Sequence, residues 1–170
     1  AFNKHGRREM LEWCDKAYDH VQELDKEFSD WLCVPRSVRT TSIKPSGTVS
    51  LLNGSTPGIH YPEAEYYIRR IRFSTENAIL KAIQDAGYPV EPDAYSPNTM
   101  VASFPVHEPF FQKGKNEASM WEQLEIAAAY QHYWADNSVS VTVTFKADEA
   151  KDIKTALEMY ESRLKAVSFL

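Results

Sequence analysis

The sequence predicts an α/β fold with alternating strands and helices and mostly parallel strands. Three observations support this prediction: apolar residues with helical spacing in four segments, a period of two in one segment, and short β-branched runs between the helices. The predicted order over most of the chain is strand, helix, strand, helix, strand, helix, strand, which is typical of βαβ units. Such a sheet is either open or curled into part of a barrel.

The helices are predicted from apolar stripes and from their end signals. The first helix, over residues 8–32, has an apolar residue at every third or fourth position and stops before Pro35. The second helix is closed by Gly87, because glycine readily adopts the left-handed conformation at a helix end. The helices after the first are predicted over residues 75–86, 119–136 and 148–164.

One of the predicted strands differs from the others in its pattern. In residues 138–145, valine and phenylalanine alternate with serine and threonine. A strand covered by helices on both faces would be apolar throughout. The hydroxyl-rich face of this strand therefore lies at a wet sheet edge or lines a polar barrel lumen. The other strands are predicted over residues 37–43, 68–73, 99–106 and 166–170.

The composition indicates a single region over residues 1–170. Hydrophobic residues make up 43% of the chain and charged residues 25%, which suits a packed core. The net charge of −5 disfavours a general nucleic-acid binder, and no apolar run reaches the ~18 residues of a membrane span. We expect a soluble, cytoplasmic protein with no nucleic-acid or membrane partner. The missing initiator Met and the strand-like last residues predict a piece of a longer protein.

The two cysteines, Cys14 and Cys33, are too few for a disulfide framework or a zinc site of the usual kind. Along a helix at ~1.5 Å per residue they lie roughly 30 Å apart, so they cannot pair with each other. We interpret Cys14 as a small core residue, and the role of Cys33 stays open. We predict no metal site.

The segment between the first two predicted strands is the strongest candidate for a ligand site. It consists of Pro45, Ser46, Gly47, Thr48, Val49 and Ser50. Its glycine lets the backbone approach a ligand, and if Thr48 opens a short helix, free N–H groups at the positive helix end favour a phosphate. The segment is not the GxxxxGK[ST] loop of P-loop nucleotidases, and from the residues alone a turn with a capping Thr48 is the commoner explanation.

A basic cluster lies in the strand predicted at residues 68–73. Arg69, Arg70 and Arg72 either steer an anionic ligand or form a salt-bridged face. On an acidic chain the salt-bridged face is the commoner outcome.

Collinear blocks of the sequence resemble the adenosylcobalamin-dependent (class II) ribonucleotide reductases. The first block runs from Thr40-Thr41-Ser42-Ile43-Lys44-Pro45-Ser46-Gly47-Thr48 to Thr56-Pro57-Gly58-Ile59-His60. The later blocks are Tyr67-Ile68-Arg69-Arg70-Ile71-Arg72-Phe73, Ala86-Gly87-Tyr88, Tyr133-Trp134-Ala135-Asp136-Asn137-Ser138-Val139-Ser140-Val141-Thr142-Val143-Thr144-Phe145 and Val167-Ser168-Phe169-Leu170. The resemblance is to the C-terminal half of the catalytic barrel in the ribonucleoside-triphosphate branch.

The resemblance implies the C-terminal half of a ten-stranded α/β barrel. In that family, the segment that matches residues 45–50 holds the substrate phosphates, and the hydroxyl-lined strand 138–145 would face the lumen. Asn137 and Ser138 would lie near the substrate, although from the residues alone a turn is the commoner role for Asp136 and Asn137. His60 either approaches the substrate as well or is a capping or structural residue. The complete enzyme would use adenosylcobalamin to form a cysteine thiyl radical, would reduce a ribonucleoside triphosphate, and would be re-reduced by a thioredoxin-like partner.

The sequence also departs from the family. The Asn-x-Cys-x-Glu loop of the radical cysteine is absent, and neither Cys14 nor Cys33 matches the reducing pair. We therefore assign no catalytic residue here and expect the chain to be inactive without the remainder of the reductase chain. Two alternatives stay open: a non-catalytic α/β module or assembly partner that keeps the barrel framework, and a class I or class III ribonucleotide reductase relative.

Overall fold

The computed structural model describes residues 6–46, 50 and 55–170. In chain order its elements are α1 (Arg7–Leu32), β1 (Tyr66–Ser74), α2 (Ile79–Asp85), β2 (Val90–Pro92), β3 (Thr99–His107), α3 (Met120–Tyr133), β4 (Thr142–Val143), a 3₁₀ turn (Ala150–Asp152), α4 (Ile153–Tyr160) and β5 (Ser168–Phe169). The chain divides into two compact units, which we call the inserted unit (Glu63–Phe111) and the discontinuous unit (Ala1–Pro62 with Gln112–Leu170).

The predicted first helix is confirmed as α1, and it ends at Leu32, before Pro35. Cys33 takes a left-handed conformation with φ 53°, and its N–H donates to the carbonyl of Asp30. Both cysteines are free thiols: Cys14 is buried and Cys33 is exposed. Burial, and to a smaller extent Asp15, raises the pKa of the Cys14 thiol. Cys14 is thus a buried residue of the helix, as the apolar stripe predicted.

The core of the discontinuous unit lies between its helices and one extended segment. The hydroxyl of Ser119 caps α3 by accepting from the N–H of Glu122 at 3.1 Å. The valines of residues 139–143 pack against α3 and α4, as the alternating pattern predicted. The largest fully buried side chains of this core are those of Met120, Leu124, Val139 and Val143.

Three extended segments of this unit run in the same direction, residues 41–43, 137–145 and 168–170. The N–H groups of Asn137 and Ser140 donate to Thr41 and Ile43 on one side. On the other side, β4 pairs in parallel with β5. The valine-rich segment therefore lies between two parallel neighbours.

The predicted strands in this unit are shorter than expected. Residues 37–43 form no regular strand, and only Thr142–Val143 of the predicted strand 138–145 is in a ladder. The strands are short because neighbouring backbones share only isolated hydrogen bonds. Side chains bond to many of the backbone N–H and C=O groups between them. The final strand is likewise reduced to Ser168–Phe169.

The inserted unit is an antiparallel sheet in the order β1-β3-β2, with α2 between β1 and β2 along the chain. Its nine-residue ladder pairs Tyr66 with His107 and Ser74 with Thr99. The expectation of mostly parallel strands is wrong for this unit, because β3 lies between β1 and β2 and runs against both. The proline-rich residues 88–98 contain the short edge strand β2, where a terminal proline is tolerated.

Three helices are shorter than their sequence patterns. The side chain of Asn77 accepts from the N–H of Ile79 at 3.1 Å, so α2 begins at Ile79 rather than Thr75. The predicted helices 119–136 and 148–164 are realised as α3 and as the 3₁₀ turn with α4. Among the residues that the structure describes, no helix combines the length and apolar character that crossing a membrane requires.

Candidate functional site

The predicted phosphate segment is described at its two ends. The N–H of Ser50 donates to the hydroxyl of Ser46 at 3.3 Å, and the Ser50 hydroxyl donates to the Ser46 carbonyl. Gly47, Thr48 and Val49 lie outside the described residues. The amide of Ser50 thus already has an intramolecular acceptor, and the predicted role of the other amides stays a prediction.

Lys44, immediately before this segment, contacts one of the predicted substrate-proximal residues. Its ammonium donates to the carbonyl oxygen of Ser138 at 3.1 Å and lies 3.4 Å from the Ser138 hydroxyl. Because Val139 faces the core, Ser138 belongs to the hydroxyl-lined face of the segment. This contact fixes the start of the phosphate segment beside that face.

Asn137, the second of these residues, holds another cation. Its side-chain oxygen accepts from the guanidinium of Arg39 at 3.1 Å, and its N–H donates to Thr41. Arg39 and Lys44 are both exposed. Sequence reasoning assigned no role to these two cations, although Lys44 lies within the first family block and Arg39 immediately precedes it.

His60 is fully engaged with the backbone. Its Nδ1 lies 2.8 Å from the carbonyl of Pro57, and its Nε2 accepts from the N–H of Thr142 at 3.0 Å. Since the N–H of Thr142 can only donate, this geometry requires the ring proton on Nδ1. His60 therefore ties residues 57–60 to β4.

The turn that precedes His60 lies against Pro45, the first residue of the predicted phosphate segment. Gly58 has φ +61°, and a Cβ there would lie 3.4 Å from the Cα of Pro45. A side chain at residue 58 would be strained by this positive φ and would lie in van der Waals contact with Pro45. The turn supports the start of the phosphate segment, which is a role that the sequence did not indicate for Gly58.

Two glutamines of α3 bind the backbone of the valine-rich segment. Gln123, which is buried, accepts from the N–H of Thr144 at 3.0 Å and donates to its carbonyl at 2.8 Å. Gln131 accepts from the N–H of Val139 at 3.1 Å and donates to the carbonyl of Asn137 at 3.0 Å. These side chains hold both ends of the segment that presents the hydroxyl face.

Asp136 anchors the approach to this segment. Its carboxylate accepts from the N–H of Thr40 at 3.0 Å and from the hydroxyl of Tyr18 at 2.8 Å. The backbone hydrogen bond of Thr40, with further bonds from Tyr18 and Thr41, lowers the pKa of Asp136 against the opposing effect of burial. Its partners are structural, in agreement with a turn role.

The basic cluster of the inserted unit forms a salt-bridged face. Arg70 pairs with Glu91, and Arg72 lies 3.3 Å from Asp93. For these two arginines the salt-bridge alternative of the sequence analysis is confirmed. In the part of the chain that the structure describes, no three His, Cys, Asp or Glu side chains come together as a metal-ligand set.

Comparison with known proteins extends along nearly the whole chain, although no family model matches it. The chain is 46% identical over 166 residues to the probable adenosylcobalamin-dependent ribonucleoside-triphosphate reductase of Dictyostelium discoideum. It is 42% identical over 167 residues to the adenosylcobalamin-dependent ribonucleoside-triphosphate reductase of Euglena gracilis. These matches cover 97% of this chain but only 22% and 23% of those proteins.

A solved structure gives the same result in three dimensions. The crystal structure of a B12-dependent (class II) ribonucleotide reductase matches with a TM-score of 0.84 at 34% identity. The match covers 97% of this chain and 24% of that chain. The chain therefore spans less than a quarter of the length of the proteins that it matches.

Proposed function

The chain is homologous to a segment of the adenosylcobalamin-dependent ribonucleoside-triphosphate reductases, and we propose that it is the part of such an enzyme that binds the substrate phosphates. In this proposal, residues 1–170 form the C-terminal half of a ten-stranded α/β barrel. The parallel course of residues 41–43, 137–145 and 168–170 supports a barrel wall. The helices cover its apolar face, and the hydroxyls face the lumen.

The observation that supports the phosphate role best is the contact between Lys44 and Ser138. It joins the start of residues 45–50 to the hydroxyl-lined face, so the predicted phosphate donors and the proposed lumen are adjacent. Hydrogen bonds to a charged partner contribute roughly 1.5–3 kcal/mol each. Three such bonds from residues 46–50 would hold a nucleotide tail on a chain of net charge −5.

The described residues do not fit a cobalamin or radical site. Cys14 is buried in a helix, Cys33 is exposed at the end of that helix, and neither lies in an Asn-x-Cys-x-Glu loop. We assign the cofactor, the radical cysteine and the exchange with a thioredoxin-like reductant to the remainder of the reductase chain. We also propose a cytoplasmic location, because thioredoxin-like reductants act on thiols in a reducing compartment.

Gly47→Asp in the complete reductase tests the phosphate role. The new carboxylate would place like charge against the substrate phosphates, so we expect nucleotide binding to fall at least about tenfold. Titration calorimetry with a ribonucleoside triphosphate measures the change, and Gly47→Ala controls for the loss of glycine alone.

Unchanged binding by Gly47→Asp would remove the phosphate role.

The isolated chain should bind the nucleotide weakly and show no turnover. Turnover of the complete enzyme should require adenosylcobalamin, and turnover without it would favour a class I or class III relative. A complete lack of nucleotide binding would favour the non-catalytic module.

A further inference from the structure

The inserted unit is connected to the rest of the chain at two points, residues 62–63 and residues 111–112. The two connections run side by side, because β1 and β3, where the unit begins and ends, pair with each other along their full length. On the side of the discontinuous unit, the N–H of Lys115 donates to the carbonyl of Pro62 at 2.9 Å. A backbone hydrogen bond therefore joins the two connections outside the inserted unit.

One carboxylate of α3 contacts both connections. The hydroxyl of Tyr61, on the entering side, donates to Oε1 of Glu122 at 2.6 Å. The ammonium of Lys113, on the leaving side, donates to Oε2 of the same residue at 2.5 Å. Each carboxylate oxygen thus holds a different connection, and all three residues belong to the discontinuous unit. We call Tyr61, Lys113 and Glu122 the linker clamp.

The start of α3 normally gives such a carboxylate a different partner. Ser119 and Glu122 have the spacing of a capping box, in which the N-cap hydroxyl accepts from the N–H of the later residue and the later side chain bonds back to the N-cap N–H. The first of these bonds is present at 3.1 Å. The carboxylate of Glu122 is instead directed to Tyr61 and Lys113. Its position therefore serves the two connections rather than the helix end.

The carboxylate of the linker clamp is ionised at neutral pH. Burial raises the pKa of Glu122, but the hydrogen bonds from Lys113 and Tyr61 outweigh burial and hold the pKa below its ordinary value. The side chains of Lys113 and Glu122 are 31% and 34% exposed, so water screens their ion pair only in part. Both hydrogen bonds are therefore charge-assisted, which makes them stronger than bonds between neutral groups.

We propose that the linker clamp is the anchor of a hinge: it holds both connections of the inserted unit on α3 and so limits the motion of that unit as one body. Units of one chain commonly move about a few residues at the ends of their elements. Residues 61–65 and 108–115 lie at such ends, next to β1 and β3. The inserted unit has its own nine-residue ladder and its own helix, so it can keep its fold while its connections move. This inference does not depend on the phosphate role.

Hydrogen exchange of the complete reductase, followed by mass spectrometry, tests the anchor. Tyr61→Phe and Lys113→Met each remove one contact and leave the backbone of α3 intact. Because the two connections share the bond between Lys115 and Pro62, either variant should accelerate exchange about threefold or more on both sides, in residues 61–65 and 108–115. Glu122→Leu removes both contacts and should accelerate it about tenfold or more. Exchange in β3 should change less than about twofold in all three variants.

A distance measurement tests the motion itself. Spin-label amino acids introduced at Tyr95 and Lys154 report on the two units, since both side chains are exposed and one lies in each unit. Electron–electron double resonance should give a broader distance distribution for Glu122→Leu than for the wild type. Glu117→Leu removes an exposed carboxylate five positions earlier and is the matched control, which should leave both the exchange rates and the distribution unchanged.

Three results would show that the inference is wrong. Unchanged exchange in both connections, or an unchanged distance distribution for Glu122→Leu, would mean that the linker clamp restrains nothing. Faster exchange in β3, equal to that in the connections, would mean that these contacts stabilise the fold of the inserted unit rather than its attachment. Equal effects of Glu117→Leu and Glu122→Leu would show that the two contacts of Glu122 have no special role.

Discussion

The two units satisfy their backbone polar groups in different ways. In the inserted unit, β1 and β3 pair through a nine-residue ladder, so the backbone bonds to itself. In the discontinuous unit, the ladder between β4 and β5 is two residues long. There Gln123, Gln131 and His60 bond to N–H groups of residues 139–144. The region of the candidate site therefore depends on a few polar side chains for its backbone hydrogen bonds.

This dependence has an energetic consequence. A buried backbone group that loses its partner costs about 1–3 kcal/mol, whereas one ladder bond among many contributes about 1 kcal/mol. Single substitutions should therefore affect the discontinuous unit more than the inserted unit. The three predictions below test this difference, starting with the largest effect.

Gln123→Leu should have the largest effect on stability. It leaves the N–H and the carbonyl of Thr144 without their side-chain partner, so we expect a loss of about 2–4 kcal/mol. Urea unfolding measures the loss. Hydrogen exchange should become faster in residues 139–145 and stay unchanged in β3.

The matched control for this prediction is Gln84→Leu, the same chemical change on the exposed face of α2. It should change stability by less than about 0.5 kcal/mol. Equal losses for the two variants would contradict the special dependence of the discontinuous unit on side-chain bonds to its backbone.

The bonds made by Gln123 also show what the sequence could and could not predict. Residues 138–145 were recognisable because an alternating pattern is local, and α1 was recognisable from its stripe. The bond between Gln123 and Thr144 joins residues 21 positions apart. A glutamine inside a helix normally indicates an exposed position, so its burial is a tertiary effect.

The same limit applies to the candidate site. The residue types in 45–50 predicted an anion site, and the family blocks singled out Asn137 and Ser138. The contact of Lys44 with Ser138 joins residues 94 positions apart, which no local pattern can indicate. The antiparallel order of the inserted unit was missed for a related reason, since strand order depends on pairing rather than on the succession of elements.

The second prediction concerns Glu125, which joins three parts of the discontinuous unit. Hydrogen bonds from Arg163, and also from Arg7 and Tyr160, lower the pKa of Glu125 to about 2 despite the opposing effect of burial. A lowered folded-state pKa means that the stabilisation is present above the unfolded value near 4.5 and is lost as the pH falls towards 2. Glu125→Gln should remove this pH dependence.

At pH 7 we expect Glu125→Gln to cost about 1–2 kcal/mol, because the ion pairs are partly exposed to solvent. Urea unfolding of both proteins from pH 7 to pH 2 should give curves that converge at low pH. Glu158→Gln, which removes an exposed pair with Lys154 on α4, is the control and should leave the pH dependence of the wild type. Parallel curves for the wild type and Glu125→Gln would show that these bonds do not stabilise the unit.

The smallest effect is expected in the inserted unit, for Arg70→Met. The side chains of Arg70 and Glu91 are 59% and 60% exposed, so losing their ion pair should cost less than about 1 kcal/mol. Arg72→Met is the variant to compare with Arg70→Met. The carboxylate of Asp93 is only 6% exposed, and this change would remove its ion pair with Arg72. Urea unfolding and hydrogen exchange of β3 should therefore rank Arg72→Met as the more destabilising of the two. A loss of more than about 2 kcal/mol for Arg70→Met would mean that the ladder also depends on its side chains, and the contrast between the units would disappear.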